Sequence, residues 1–141
     1  MIQKMDVMVD LETLGTAPNS IILTIGAVKF NRKDAKNIST FYRRITIESC
    51  AKVGLTASKA TEAWWNSQNE DARREAFGKE RETLDTVLSD FSSWFNGARY
   101  IWSHGASFDC VILEQAYNAC KQTIPWKFWN VRDTRTLYDV G

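Results

Sequence analysis

The chain has 141 residues, 44% of them apolar, with six tryptophans and two prolines, enough to bury one core without staples and unlike a disordered or fibrous protein. Eighteen basic residues against seventeen acidic ones leave a formal charge of +1. No global field therefore announces a polyanionic partner, and any nucleic-acid contact has to be local. Cys50, Cys110 and Cys120 contain no CxxC pair, and the single histidine, His104, cannot complete a zinc cluster with them. The opening MIQKMDVMVDLE turns acidic too early for a secretory segment, and no stretch approaches the ~20 apolar residues of a membrane span. A reduced, soluble, cytoplasmic protein is expected.

In chain order, a short apolar run from Val7 to Leu11 carries Asp10, and after Gly15, Pro18 and Asn19 a β-rich run extends from Ser20 to Phe30. A polar turn then leads to Ser39–Ile47, where Phe41, Arg43, Ile45 and Ile47 alternate with Tyr42, Arg44 and Thr46, predicting a hairpin to a third strand. The cations Lys29, Arg32, Lys33 and Lys36 around this turn read as a solvated hairpin tip. Thr56 to Phe77 is helical in composition, with Ser58 or Thr61 and then Asn69 as N-caps and Gly78 as the stop. Leu84, Val87, Leu88, Phe91, Trp94 and Phe95 recur at three- and four-residue steps, predicting an amphipathic helix that Gly97 ends. Tyr100 to Trp102 predicts a strand, followed by a helix from about Ser107 that opens with Asp109. Lys127 to Val131 predicts a last short strand, with Asp133 or Thr134 capping a final helical turn. This order predicts one α/β domain over residues 1–141, its mixed sheet joining three antiparallel strands to parallel ones and flanked by helices.

Asp10 and Glu12, two residues apart at a strand end, leave the same face while Leu11 points into the core. Hard divalent ions such as Mg²⁺ or Mn²⁺ choose carboxylate and water ligands, and phosphodiester cleavage needs such ions to polarise a phosphoryl oxygen and generate hydroxide. An acidic pair at an exposed strand end is, by itself, most often solvated surface.

The ordered set VDLETLG, SIILTIGAVKF and, much later, WSHGASFDCVILEQAY resembles the DEDD superfamily of 3′-to-5′ exonucleases. Asp10 and Glu12 match the acidic pair of motif I, and Asp109, after Phe108, matches the aspartate of motif II. Trp64 and Trp65, PWKFWN from Pro125 and RDTRTL from Arg132 are similar to the phage and prophage branch, with its exonuclease VIII-like and short exoribonuclease-like members. The resemblance implies an RNase H-like fold and metal-dependent hydrolysis of single-stranded DNA or RNA from the 3′ end to nucleoside 5′-monophosphates. Asp10, Glu12 and Asp109 would be the catalytic and metal-binding residues, with two Mg²⁺ or Mn²⁺ ions in a complete site. Thr13, Leu14, His104 and Trp65 would contact nucleic acid. Leu14 is either a wedge against the last base or ordinary turn packing, and Trp64 and Trp65 read more as core than as base-stacking platforms.

The chain departs from the family at motif III, an aspartate preceded on a late helix by a histidine or tyrosine base. Asp133 has Phe128 and Trp129 at the positions where that base belongs, and Asp139 has Thr134 and Arg135 there. The spacing from His104 to Asp109 mimics the motif, but Gly105 and a preceding apolar strand place it outside a helix. Truncation at the C-terminus, impaired activity and self-association through an uncovered apolar face are the resulting expectations. The alternative reading is an inactive prophage remnant that binds nucleic acid or a partner subunit.

Overall fold

The structure is a computed structural model that describes residues 5–34, 38–78, 80–106 and 108–136. Five strands, β1 (Met5–Thr13), β2 (Ile22–Phe30), β3 (Ser39–Arg44), β4 (Ala98–Ser103) and β5 (Val131–Asp133), form one sheet in the order β3-β2-β1-β4-β5. The pairs β1/β2 and β2/β3 are antiparallel, whereas β4 and β5 run parallel to β1. The helices are α1 (Ile47–Lys52), α2 (Lys59–Asn66), α3 (Glu70–Phe77), α4 (Leu84–Phe95) and α5 (Asp109–Ala119). This is the mixed, helix-flanked α/β architecture that the element order predicts.

Alternation along the central strand sorts its side chains. Val7, Val9 and Leu11 are buried, and in register with them lie Ile25, Ala27, Phe41 and Ile101. Against that face α4 packs Phe91 edge-on to Phe41, with ring centroids 5.2 Å apart. α5 joins α4 through Tyr117, which is fully buried and donates its hydroxyl to the Leu88 carbonyl at 3.0 Å. The hydrogen bond offsets the cost of taking a phenol out of water. Asp6, Met8, Asp10 and Glu12 project from the opposite face, where Val28 and Tyr42 are exposed.

Local signals fix several boundaries. The Ser58 hydroxyl accepts the Thr61 N–H, and the Asn69 side-chain Oδ1 accepts the Ala72 N–H at 2.8 Å, so Ser58 rather than Thr61 caps α2 and Asn69 caps α3. Gly97, at φ +92°, takes the left-handed turn between α4 and β4 that a side chain would disfavour.

Four expectations are corrected. The third strand stops at Arg44, because the Thr46 N–H turns to the Glu82 carbonyl and Ile47 then opens α1, a six-residue helix whose β-branched start mimics a strand. The last strand is Val131–Asp133, while Phe128–Asn130 forms a 3₁₀ turn. α5 begins at Asp109, and Ser107 lies outside the described residues. The hairpin cations are not all solvated: Lys29 docks on the Trp94 ring, and Arg32 folds back onto the sheet to pair with Asp6 at 2.8 Å. Lys36 lies outside the described residues.

Truncating Phe91 to Ala is expected to cost ~3–5 kcal/mol, since the ring has no exposed surface and three aromatic neighbours. Urea unfolding should show a lowered midpoint at an unchanged m-value.

Candidate active site

The three sequence-predicted carboxylates lie in the region where β1 ends and α5 begins, with Asp10 close enough to act electrostatically on the other two. Asp10 is exposed, Glu12 is half-buried, and Leu11 between them is buried. Asp109 stands in the first turn of α5 and is only 4% exposed. Its carboxyl is pushed up to about 7 by burial first and by the negative charge of Asp10 second, while the Leu11 backbone N–H and Arg135 draw it down. Burial, Asp10 and Glu75 likewise raise Glu12, against a hydrogen bond from Thr24, its cross-strand partner. Asp10 thus lies within electrostatic reach of both other acids. Three carboxyl groups pressing on one another are the donor chemistry that a hard divalent cation relieves. Among the described residues, however, no group of three His, Cys, Asp or Glu side chains is gathered closely enough to hold one metal ion.

Asp133 has a different task. Its carboxylate accepts the N–H groups of Gly105 and Ala106 at 3.0 Å each and of Arg135 at 2.9 Å, and these bonds hold its pKa below the ordinary value. The end of β5 thereby ties down the loop that delivers Asp109, and the same carboxylate caps the turn after it. Gly105 takes φ +96° with the Arg135 guanidinium against it. His104 is exposed, and its Nδ1 lies 3.0 Å from the Thr134 hydroxyl. Asp139 lies outside the described residues.

A cleft of ≈ 510 Å³ opens beside Glu12, walled by Thr13, Thr61, Trp64, Trp65 and Phe108. Trp65 is 6% exposed and donates its indole N–H to the Thr13 carbonyl at 2.9 Å, so it works as a brace behind the wall. Trp64, 53% exposed and edge-on to Trp65 at 4.8 Å, presents the open ring. The structure therefore moves the exposed aromatic surface from Trp65 to Trp64. Leu14 is buried, its N–H bonded to the Ile21 carbonyl, and it packs in the turn rather than lining the cleft. Thr13 lines the cleft and closes the same turn through its hydroxyl to the Gly15 carbonyl at 2.7 Å. A Cβ on Gly15 would lie 2.5 Å from the Ser20 hydroxyl, so this close approach requires glycine. Thr24 and Glu75 carry no sequence signal, since pairing of β1 with β2 and the placement of α3 alone bring them to Glu12.

The fold is that of the RNase H-like nucleases. The zinc ion bound form of the E. coli ExoI–ssDNA complex superposes with a TM-score of 0.67 at 16% identity, covering 98% of this chain and 29% of that one. A product-bound exonuclease I gives 0.64 at 16% identity, covering 96% of this chain and 31% of that one. The chain thus spans about a third of those solved chains or less. In sequence it is 24% identical over 163 residues to an exodeoxyribonuclease of Enterobacteria phage T4, covering 96% of this chain and 71% of that protein. The chain belongs to the 3'-5' exoribonuclease Rv2179c-like domain family, whose model matches residues 5–141. It is by family a nuclease of the hydrolase class that acts on nucleic acid.

Between pH 3.8 and about 7 the folded chain keeps a proton on Asp109 that the unfolded chain releases. Raising the pH through this window therefore lowers stability. In EDTA the melting temperature of the wild type should fall across it, and Asp109→Asn should flatten that slope. An unchanged slope in the variant would show that Asp109 ionises like an exposed acid.

Proposed function

We propose that this chain removes nucleotides from the 3′ end of single-stranded nucleic acid, with Asp10, Glu12 and Asp109 as its catalytic and metal-holding carboxylates. The observation that carries the reading is the convergence of these acids beside a cleft walled by Trp64 and Phe108. The cleft accepts a terminal nucleoside, with Trp64 offering a ring face to the base and Thr13 at the edge next to Glu12. Asp10, the exposed acid between two partly desolvated ones, is the group best placed to serve both halves of a two-ion site. Mg²⁺ or Mn²⁺, when bound, supplies the Lewis acidity and the activated water that phosphodiester hydrolysis needs. Asp133 and the Gly105–Ala106 loop hold Asp109 in place without touching substrate, and His104 borders the same loop.

A second reading, a chain that holds nucleic acid without cutting it, is favoured by the lack of a three-donor metal cluster among the described residues. Residues 1–141 are read as one domain. Among the described residues no helix is long and apolar enough to cross a membrane, and Cys50, Cys110 and Cys120 are free thiols, which supports the cytoplasm as the working compartment.

End-labelled single strands of RNA and DNA, incubated with Mg²⁺ or Mn²⁺, should give a ladder that shortens from the 3′ end and stops in EDTA. The family description points to RNA and the phage relative to DNA, so both are needed. Asp10→Asn should slow the ladder by at least ~10²-fold, as expected for losing several kcal/mol of electrostatic stabilisation. Tight binding of either strand with no ladder under any metal would establish the second reading instead.

A further inference from the structure

A concentration of positive charge on this nearly neutral chain lies away from the cleft, on the β4–β5 side of the sheet. Three guanidinium groups surround the ring of Tyr100: Arg132 at 4.6 Å, Arg32 at 5.0 Å and Arg99 at 5.1 Å from its centroid. Arg32 also covers Trp102 at 5.4 Å. Among the described residues Asp6 answers them, accepting from Arg32 at 2.8 Å and from the Trp102 indole N–H at 2.6 Å. Arg99 and Arg132 form no ion pair among the described residues, in a chain whose formal charge is only +1.

The gathering is built rather than incidental. In a regular strand Arg99 and Tyr100 would point to opposite faces. The register shift between Met5 and Asp6 sets both residues against one step of β1, and such a bulge re-aims a side chain. Arg99 is exposed and makes no hydrogen bond or ion pair among the described residues; Arg132 spends Nη1 on the carbonyl oxygens of Trp129 and Val131. An arginine held beside a ring still has N–H groups to offer a planar or tetrahedral oxyanion. Next to these edges stand the two most exposed large apolar side chains described, Phe128 at 80% and Trp129 at 59%, edge-on to each other at 4.9 Å. Aromatic rings open to solvent beside arginines that lack counter-ions are the means by which single strands are held without regard to sequence.

We propose that the β4–β5 edge is a second contact surface for a single-stranded polynucleotide, where Arg32, Arg99 and Arg132 hold phosphates and Phe128 and Trp129 stack on bases. This rests on the exonuclease reading and deepens it. Asp6, Met8, Asp10 and Glu12 lie on one face of β1, so the patch at Asp6 and the acids at Asp10 are about four residues, or ~13 Å, apart on the same side of the sheet. A strand whose 3′ end enters the cleft would reach the arginines with its upstream part.

The test compares a labelled single-stranded dodecamer with a dinucleotide in EDTA, by fluorescence anisotropy over a salt series, for the wild type, Arg99→Ala/Arg132→Ala and Trp129→Ala. For the dodecamer, the arginine variant should reduce the slope of log K against log salt by about 1.4, ~0.7 for each phosphate that is no longer neutralised. Trp129→Ala should weaken the dodecamer by about fivefold or more, the effect of one unstacked base. Dinucleotide affinity should change by less than about twofold in either variant, because a ligand confined to the cleft reaches neither the arginines nor Trp129. Circular dichroism and melting check the fold. Arg99→Gln, which removes the charge while keeping a long polar side chain, replaces the double variant if that one melts early.

Wild-type-like dodecamer binding in every variant overturns the proposal and leaves the exonuclease reading intact. A wild type that does not bind the dodecamer overturns the proposal, and the metal-dependent ladder then decides the exonuclease reading separately. If light scattering finds a wild-type dimer that the arginine variant splits, with dodecamer affinity unchanged, the surface belongs to a second copy of the chain and the proposal falls.

Discussion

The central strand β1 is paired on both sides, antiparallel to β2 and parallel to β4, and its two-residue alternation decides what every neighbour sees. Val7, Val9 and Leu11 must go inward, because their burial against α4 and α5 supplies much of the apolar surface removed from water. Asp6, Asp10 and Glu12 must then go to the other face, where Arg32 and Trp102 cover Asp6 and satisfy its carboxylate. A slip of one residue would bury three carboxylates among Phe91, Leu113 and Ile101, at a cost that no local hydrogen bond offsets. The same constraint that packs the core therefore delivers the acids, and the parallel partner β4 brings the α5 N-terminus, with Asp109, to the end of that strand.

The acids are held under electrostatic tension. Asp109 is nearly sealed from solvent, and among the described residues its favourable neighbours are the Leu11 backbone N–H and the Arg135 guanidinium, with Asp10 opposing its ionisation. A purely structural carboxylate behaves like Asp133 instead, which is satisfied by three backbone N–H groups and is acidic for that reason. The contrast between two aspartates on one loop system separates a strained, poorly satisfied carboxyl group from a satisfied one. Asp133 braces the loop and Asp109 receives the benefit.

Charge on the surface follows a similar division. A net charge of +1 conceals an acidic end of β1 and a basic edge at β4–β5 on the same side of the sheet. Opposite local fields on one side suit a polyanion whose reacting phosphate needs metal and whose remaining phosphates need cations. Composition averages the two and shows neither.

Much of the fold was legible because it is written in local periodicity. The alternating runs, the three- and four-residue spacing of Leu84 to Phe95, and the caps Ser58 and Asn69 are short-range features that act over a few residues. The motif residues Asp10, Glu12 and Asp109 were legible for a different reason, their order and spacing along the chain. Local signals mislead where they are ambiguous: Ile45, Thr46 and Ile47 are β-branched, yet the hydrogen bond from Thr46 to Glu82, 36 positions away, ends the strand. The sequence by itself determined the strand and helix order and the family. Only the tertiary structure decided that Trp64 rather than Trp65 presents the exposed ring beside the cleft, that Thr24 and Glu75 attend Glu12, and that three arginines converge on Tyr100. Each of those depends on strand register, a bulge or helix placement, which arise from contacts between residues far apart in the chain and leave no pattern within any one segment of it.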